Sequence, residues 1–394
     1  MSAIPSAVPE GRTVQGTAFA HLEFVLTGIV MTLLGPLLPS LSARWLLNDT
    51  QAGYLFTTQF AASIGGMVIA SFLISRRGYR VAMIAGVILM AAGVALLAGA
   101  GWILGFASIC IYGVGFGVAS AAVNLFVAFA NPAQPAAALN LVNSSWGAGA
   151  MGCPLLVATA LRWGRLSFLL YALALALAAL AFALSRVHFV TERGTEAVKP
   201  GAAPARAPEV WWLAIVGVMF FTYVGTENSV GGWVAAYARR IDPAARVLGT
   251  MVPSFFWGAL LLGRVLAPLV LRRVRDTRVA AAGLALASLG IIGLLTAKSV
   301  PWVAGGAAVV GAGLASVYPI KVSLLPRWFG SYADRLGGLI FSMGSLGGAA
   351  LPWVVGAVST QSGSLRTGFV VPLFGTLLML TFYSANFLPR REPA

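Results

Sequence analysis

The sequence predicts an all-α membrane protein of twelve transmembrane helices arranged as two six-helix bundles, with both termini in the cytoplasm. Three observations predict it. The 394 residues are 59% hydrophobic and only 9% charged, with a mean hydropathy of +0.88, too apolar for the surface of a soluble domain. Apolar stretches long enough to cross a bilayer core, roughly 20 residues each, recur twelve times. The two halves of the chain also lie over one another at a shift of about 196 residues that drifts to 198.

The stretches fall near 18–42, 50–74, 79–99, 102–129, 136–161 and 166–186, then near 210–238, 247–271, 278–297, 301–325, 333–360 and 366–388. A polar tail (1–17) without a cleavable signal pattern precedes the first, which makes that stretch a retained helix. The long polar connection 187–209, rich in Pro, Ala and charge, separates an N-terminal bundle (18–186) from a C-terminal bundle (210–388), and 389–394 form a second short tail. With both ends inside, cytoplasmic segments hold 16 Lys/Arg and external loops 8, while Arg264 and Lys321 lie within spans. That bias fits the positive-inside rule and a plasma or inner membrane. Trp102, Trp211, Trp212 and Trp302 fall near helix ends, where indoles settle among headgroups.

The net charge of +15 does not indicate nucleic acid, because the basic residues sit in short clusters between apolar runs. Cys110 and Cys153 lie inside apolar segments and form no disulfide framework or metal spacing. His21 and His188 make no metal or triad pattern, and no GxSxG or HExxH run is present. "GVGFG" (113–117) lies in an apolar helix with no strand before it, which suits close helix contact rather than a nucleotide loop. The expectation is a protein that is not an enzyme and needs no cofactor or metal, with membrane lipids around it and a monomeric state.

At a shift of 196 residues Gly35 falls on Gly231, Gly53 on Gly249, Arg76–Arg77 on Arg272–Arg273, and "GFGVAS" (115–120) on "GAGLAS" (311–316). At 198, "GAMGCP" (149–154) falls on "GGAALP" (347–352). An ordered series of this kind points to duplication.

Polar side chains inside the spans are the informative ones, since an ionised group at the membrane centre costs about 2.5–3.5 kcal/mol even on an insertion scale. Glu227, in "GTENSVGGWVAAY" (225–237), is read as lying in the outer half of the membrane. It would bind substrate hydroxyls, a proton, or both, beside Asn228 and an aromatic floor of Trp233 or Tyr223; the alternative is an acid bonded to a neighbouring helix. Lys321 either faces a cavity or snorkels to the inner interface, and the repeat places it on Asn124. Glu23 is a second proton-coupling candidate, able to pair with Lys321 or Arg264, unless it is a solvated interfacial acid. Asn140, Asn143 and Trp146 share a helical face, where amides and an indole could meet a solute or bridge helices. Gln59, Trp257 and Tyr318 are further cavity candidates. Arg264, Arg76 and Arg80 are read as members of gating or structural ion pairs, and Lys321 and Glu227 as too far apart in depth to pair.

Twelve spans, a 6+6 duplication and a central loop resemble the major facilitator superfamily. Its signature after the second helix has its counterpart in "SFLISRRGYR" (71–80), where Arg76, Gly78 and Arg80 fit while Ser71 and Ser75 replace a Gly and an Asp. Within that superfamily, "GTENSVGGWVAAY", "LNLVNSSWGAGAMGCPLL" (139–156) and "GRVLAPLVLRR" (263–273) resemble helices seven, five and eight of the fucose permease-like sugar symporters. The resemblance implies a cavity lined by helices one, four, seven and ten, hexose-type substrates, and coupling to protons or, in some members, sodium. The fourth helix of the fucose permease carries a buried acid, whereas the only polar candidate in the inner part of this fourth span is Asn124, so the resemblance supplies no acid for proton coupling there. The expected function is secondary transport of a small polar solute, foremost a sugar, by alternating access with proton symport. A proton-driven exporter of drugs or metabolites and a non-transporting solute receptor are the alternatives.

Overall fold

The computed structural model describes residues 10–187, 210–329 and 332–384, and all regular structure within them is helical. The first half comprises α1 (Glu10–Thr32), α2 (Leu34–Trp45), α3 (Asp49–Arg77), α4 (Tyr79–Gly99), α5 (Trp102–Ala130), α6 (Pro135–Arg162) and α7 (Leu166–Arg186). The second comprises α8 (Val210–Ile241), α9 (Arg246–Leu271), α10 (Asp276–Leu295), α11 (Val300–Leu314), α12 (Val317–Phe329), α13 (Ala333–Ser362), α14 (Leu365–Gly368) and α15 (Val370–Ser384). The two tails and the 187–209 connection lie almost wholly outside the described residues, apart from the start of α1 at Glu10.

Three expected spans are each broken into two helices, and each break has a proline just after it, although α2, α6, α9 and α13 run unbroken through prolines of their own. Pro36, Pro319 and Pro372 supply no N–H to the carbonyl four residues back, at Thr32, Ala315 and Gly368; α1 and α14 stop at Thr32 and Gly368, and α11 stops at Leu314, just before Ala315. The pieces continue one another across the membrane, so Gly16–Trp45, Val300–Leu325 and Leu365–Tyr383 each count as one apolar span. Among the described residues eleven spans are long and apolar enough to cross. α6 has the length, at 28 residues, but Asn140, Asn143, Ser144 and Ser145 dilute its apolar character.

The duplication read in the sequence has a spatial counterpart. In the first half α4 packs on α5 and α7, α3 on α5, and α1 on α6; in the second α10 packs on α11 and α15, α9 on α11, and α8 on α13. The halves meet through α6 with α9 and α3 with α13, pairs exchanged by the same relation, and through α2 with α8. Gly35 and Gly231, matched by the repeat, touch one another: a Cβ on Gly35 would stand 2.8 Å from the Gly231 carbonyl oxygen. Residues related by a two-fold meet themselves only beside its axis, so this glycine pair marks where the axis passes. Small residues at such crossings let backbones approach closely, the main attraction between helices in lipid.

Arg80 caps α7, donating from Nε to the Leu184 carbonyl at 3.0 Å and from Nη2 to Ser185. A cation at a helix C-terminus complements unpaired carbonyls and the helix dipole. Arg76 lies 4.4 Å over the Phe72 ring. Among the described residues neither meets an acid, so the ion pair suggested for these arginines is corrected: with Ser75 in the acidic position, they cap and stack instead.

Candidate functional site

We call the side of the bundle carrying the 187–209 connection the linker side, and the opposite side the far side. On the far side the halves are joined. Arg240, near the end of α8, grips Asp49 at the start of α3 with two hydrogen bonds of 2.5 and 2.8 Å. Ser359 of α13 donates to the same carboxylate, and the Thr50 N–H donates to Thr360 Oγ1 at 2.9 Å. Asp49 is held in place by the turn before it, where Asn48 and Gln51 form a capping box. Deeper in, Thr57 donates to the Ala349 carbonyl, Ser254 donates to the Met151 carbonyl, Trp233 meets Phe56 at a tilt, and Trp146 meets Trp257 edge-on at 5.6 Å.

These contacts reach Phe60 against Gly348 and Gly147 against Leu261 near mid-depth. Further towards the linker side, an added Cβ at Gly65 or Gly338 would meet nothing within 4 Å, and Asn140 and Asn143 are exposed. The helices that seal the far side therefore part on the linker side.

Just below the joint lies a small crevice lined from both halves by Met31, Thr32, Gln59, Asn228, Gly231 and Trp257, among others. Gln59 is held there by three partners: its amide donates to the Met31 carbonyl (3.1 Å) and approaches Met31 Sδ, and its oxygen accepts from Tyr112 (2.8 Å). Asn228 bonds the Val224 carbonyl one turn back.

In the second half Glu227 and Arg264 form an ion pair of 2.9 Å, with side chains 11% and 22% exposed. Tyr223, one turn before Glu227, is its hub. Its hydroxyl lies 3.1 Å from the Leu314 carbonyl, 3.4 Å from Glu227 Oε1 and 3.5 Å from Arg264 Nη2. Its ring lies under Lys321, whose Nζ is 4.2 Å from the centroid and 5.1 Å from that of Phe220. Lys321 is fully buried and donates to the Met219 carbonyl at 2.8 Å. Tyr318 packs on Tyr223 at 5.4 Å. In the first half Asn143 donates to Asn124 at 3.3 Å and to the Leu139 carbonyl at 2.8 Å.

Several expectations change. Glu23 pairs with neither Lys321 nor Arg264. It is fully buried in the first half, with both carboxyl oxygens lacking a hydrogen-bond partner, as does Thr27 one turn away. Arg264 is committed to Glu227 in its own half, and Lys321, expected to lie too far from Glu227 in depth, gathers on the same Tyr223 that contacts Glu227, although the two form no ion pair. Lys321 does not snorkel; carbonyl and ring faces hold it within the bundle. Trp233 is not a cavity floor: it is fully buried and donates to the Pro352 carbonyl at 2.9 Å, fastening α8 to α13. The Asp49–Arg240–Ser359 latch was not foreseen. Its one sequence trace is the capping motif "NDTQ" (48–51), which places an acid in a first turn without saying what it meets.

Residues 22–243 match the model of the Major Facilitator Superfamily. Among curated relatives, a glucose/galactose transporter of Brucella abortus biovar 1 (strain 9-941) is 24% identical over 381 residues, covering 89% of each chain. The glucose/mannose transporter GlcP of Bacillus subtilis (strain 168) is 20% identical over 372 residues, covering 92% of each. Among solved structures, the E. coli fucose:proton symporter FucP superposes with a TM-score of 0.61 at 19% identity, over 94% of this chain and 98% of that one. A D-xylose-proton symporter gives 0.77 at 14%, over 96% and 98%. The fold is thus shared well beyond what sequence identity alone conveys. With more than half its length matched by the family model and its membrane-length helices paired as a duplicated bundle, the chain belongs to the Major Facilitator Superfamily and is a membrane transporter rather than an enzyme.

Proposed function

We propose that this protein is a secondary active transporter of a sugar, moved with a proton by alternating access between two six-helix units, 18–186 and 210–388. In this reading α6 is the twelfth span, both termini and the linker side face the cytoplasm, and the chain works as a monomer in the plasma or inner membrane. The observation that carries it is the one-sided joint between the halves, which are fastened together on the far side and at mid-depth while their helices stand open on the linker side. A solute bound between the halves beneath that joint is shielded from one face and reachable from the other, as transport between rocking halves requires. The sugar assignment is supported by the glucose/galactose and glucose/mannose relatives. Proton coupling is supported by Glu23, since a carboxyl buried without any partner has no compensation for its ionised form and is a seat for a proton. Glu227 is the second such acid, able to exchange Arg264 for a proton as the halves move. Asn143, Asn124, Asn140, Trp146, Asn228, Trp257, Tyr318 and Gln59 supply amides and rings for a sugar's hydroxyls and C–H faces.

The test is sugar-dependent proton uptake into proteoliposomes across a panel of hexoses, pentoses and their acids. Acidification driven by one sugar supports the reading; uptake without proton movement removes the coupling, and no uptake of any sugar removes the substrate class. Asn143→Ala is expected to raise the KM of the accepted sugar about tenfold, the effect of one or two lost hydrogen bonds, with protein yield unchanged. An unaltered KM would make Asn143 a bridge to α5 alone.

The latch allows a sharper expectation. An exposed ion pair contributes about 0.2–1 kcal/mol, and Arg240 is 48% exposed. Asp49→Asn is therefore expected to shift the balance towards an open far side by no more than about fivefold, read from thiol labelling of cysteines placed in that mouth. A shift of a hundredfold or more would make the latch the main lock.

A further inference from the structure

The polar cluster of the second half is unbalanced in charge. Two basic side chains, Arg264 and Lys321, stand with one acidic one, Glu227. Among the described residues no second acid approaches them: Glu23 is enclosed in the other half, and Asp49 is occupied on the far side. Lys321 is held by one carbonyl and two ring faces rather than by an anion. Arg264 is only partly used. Its Nη2 serves Glu227 and Tyr223, its Nε is buried with no acceptor, and a fifth of the side chain remains accessible. A buried charge left without a counter-charge is expensive, and a guanidinium with unfilled donors is suited to a carboxylate, to which it gives charge-assisted hydrogen bonds.

Resting on the sugar-transport reading, we propose that the solute is an acidic sugar, a hexuronate or related sugar acid, whose carboxylate is received at Arg264 and balances the charge of Lys321. The hydroxylated body of the solute then extends to the amides of Asn143 and Asn124, while Tyr318 lies at the flank of the carboxylate site. Proton symport would complement such cargo, since a monoanion entering with two protons carries net positive charge down the membrane potential, and with one enters neutrally.

The experiment compares uptake of radiolabelled glucuronate and galacturonate with glucose and galactose by the full-length protein in proteoliposomes, for the natural chain and for Lys321→Met and Lys321→Gln. The natural chain is expected to take the acids with a KM at least about tenfold below that of the parent sugars, the effect of one hydrogen bond to a charged group. Either variant is expected to narrow that ratio to about threefold or less. Uptake of the neutral sugars with the acids excluded overturns the proposal and leaves the sugar-transport reading standing. Uptake of none of the four overturns both. A preference for acids that both Lys321 variants keep in full, in protein that elutes as a single species, overturns the role of Lys321. Because the ranking within the natural chain is already decisive, a variant that fails to fold does not spare the proposal.

Discussion

Replacing Glu227 by Gln is expected to lower coupled transport at least a hundredfold and to destabilise the protein, and the two effects separate in a double variant. Glu227 is the partner of Arg264 at 2.9 Å and the pair is mostly buried. Removing one member of such a pair leaves a buried charge uncompensated, which costs about 3–5 kcal/mol. Glu227→Gln alone should therefore lower the thermal denaturation midpoint in detergent. Glu227→Gln combined with Arg264→Gln removes both charges, and should recover most of the lost stability because two amides can bond each other and Tyr223. Transport should not return in the double variant, since neither a proton-exchanging acid nor a guanidinium is then present. Normal transport by the single variant would reduce Glu227 to a structural acid. Recovery of transport in the double variant would show that the pair only holds α8 against α9.

Gly35→Leu is expected to abolish transport while leaving the protein folded. A Cβ at this position would lie 2.8 Å from the Gly231 carbonyl oxygen and 3.3 Å from the Gly232 Cα, and backbone cannot turn aside as a side chain would. The contact lies between the halves, not within one, so each half retains its own packing. The far side should then fail to close, and cysteines placed near Asp49 and Arg240 should label freely with a membrane-impermeant thiol reagent. This distinguishes Gly35 from Gly28, whose added Cβ would run into the Trp146 carbonyl inside the first half. Gly28→Leu should reduce folded protein instead. Gly35→Leu with transport above about a tenth of the natural rate would mean that the halves close without this crossing. Together with the modest shift expected of Asp49→Asn, these results would assign far-side closure to packed glycine backbone more than to the surface ion pair.

The sequence by itself determined the class, eleven of the spans and the duplication. Apolar runs of membrane length are set by bilayer thickness, and that constraint acts on each segment alone, so it can be read one stretch at a time. The Gly35–Gly231 match belongs with these, because duplication is recorded in sequence order. The sequence also singled out Glu227, Arg264, Lys321 and Glu23, because ionisable groups stand out in hydrocarbon.

Only the tertiary structure decided which of them meet. Glu23 and Arg264 were possible partners by depth, yet they lie in different halves, and helix rotation turns one into a closed core and the other towards Glu227. Trp233 and Tyr223 share a helix and similar chemistry, but one is pinned to Pro352 between helices while the other anchors a charged cluster. Asp49 and Arg240, 191 residues apart, become partners only because the two halves fold against each other. The physical reason is that lipid fixes what must lie inside the membrane, whereas the direction each side chain faces depends on helix rotation, tilt and neighbours, which are settled by packing among segments distant in the chain.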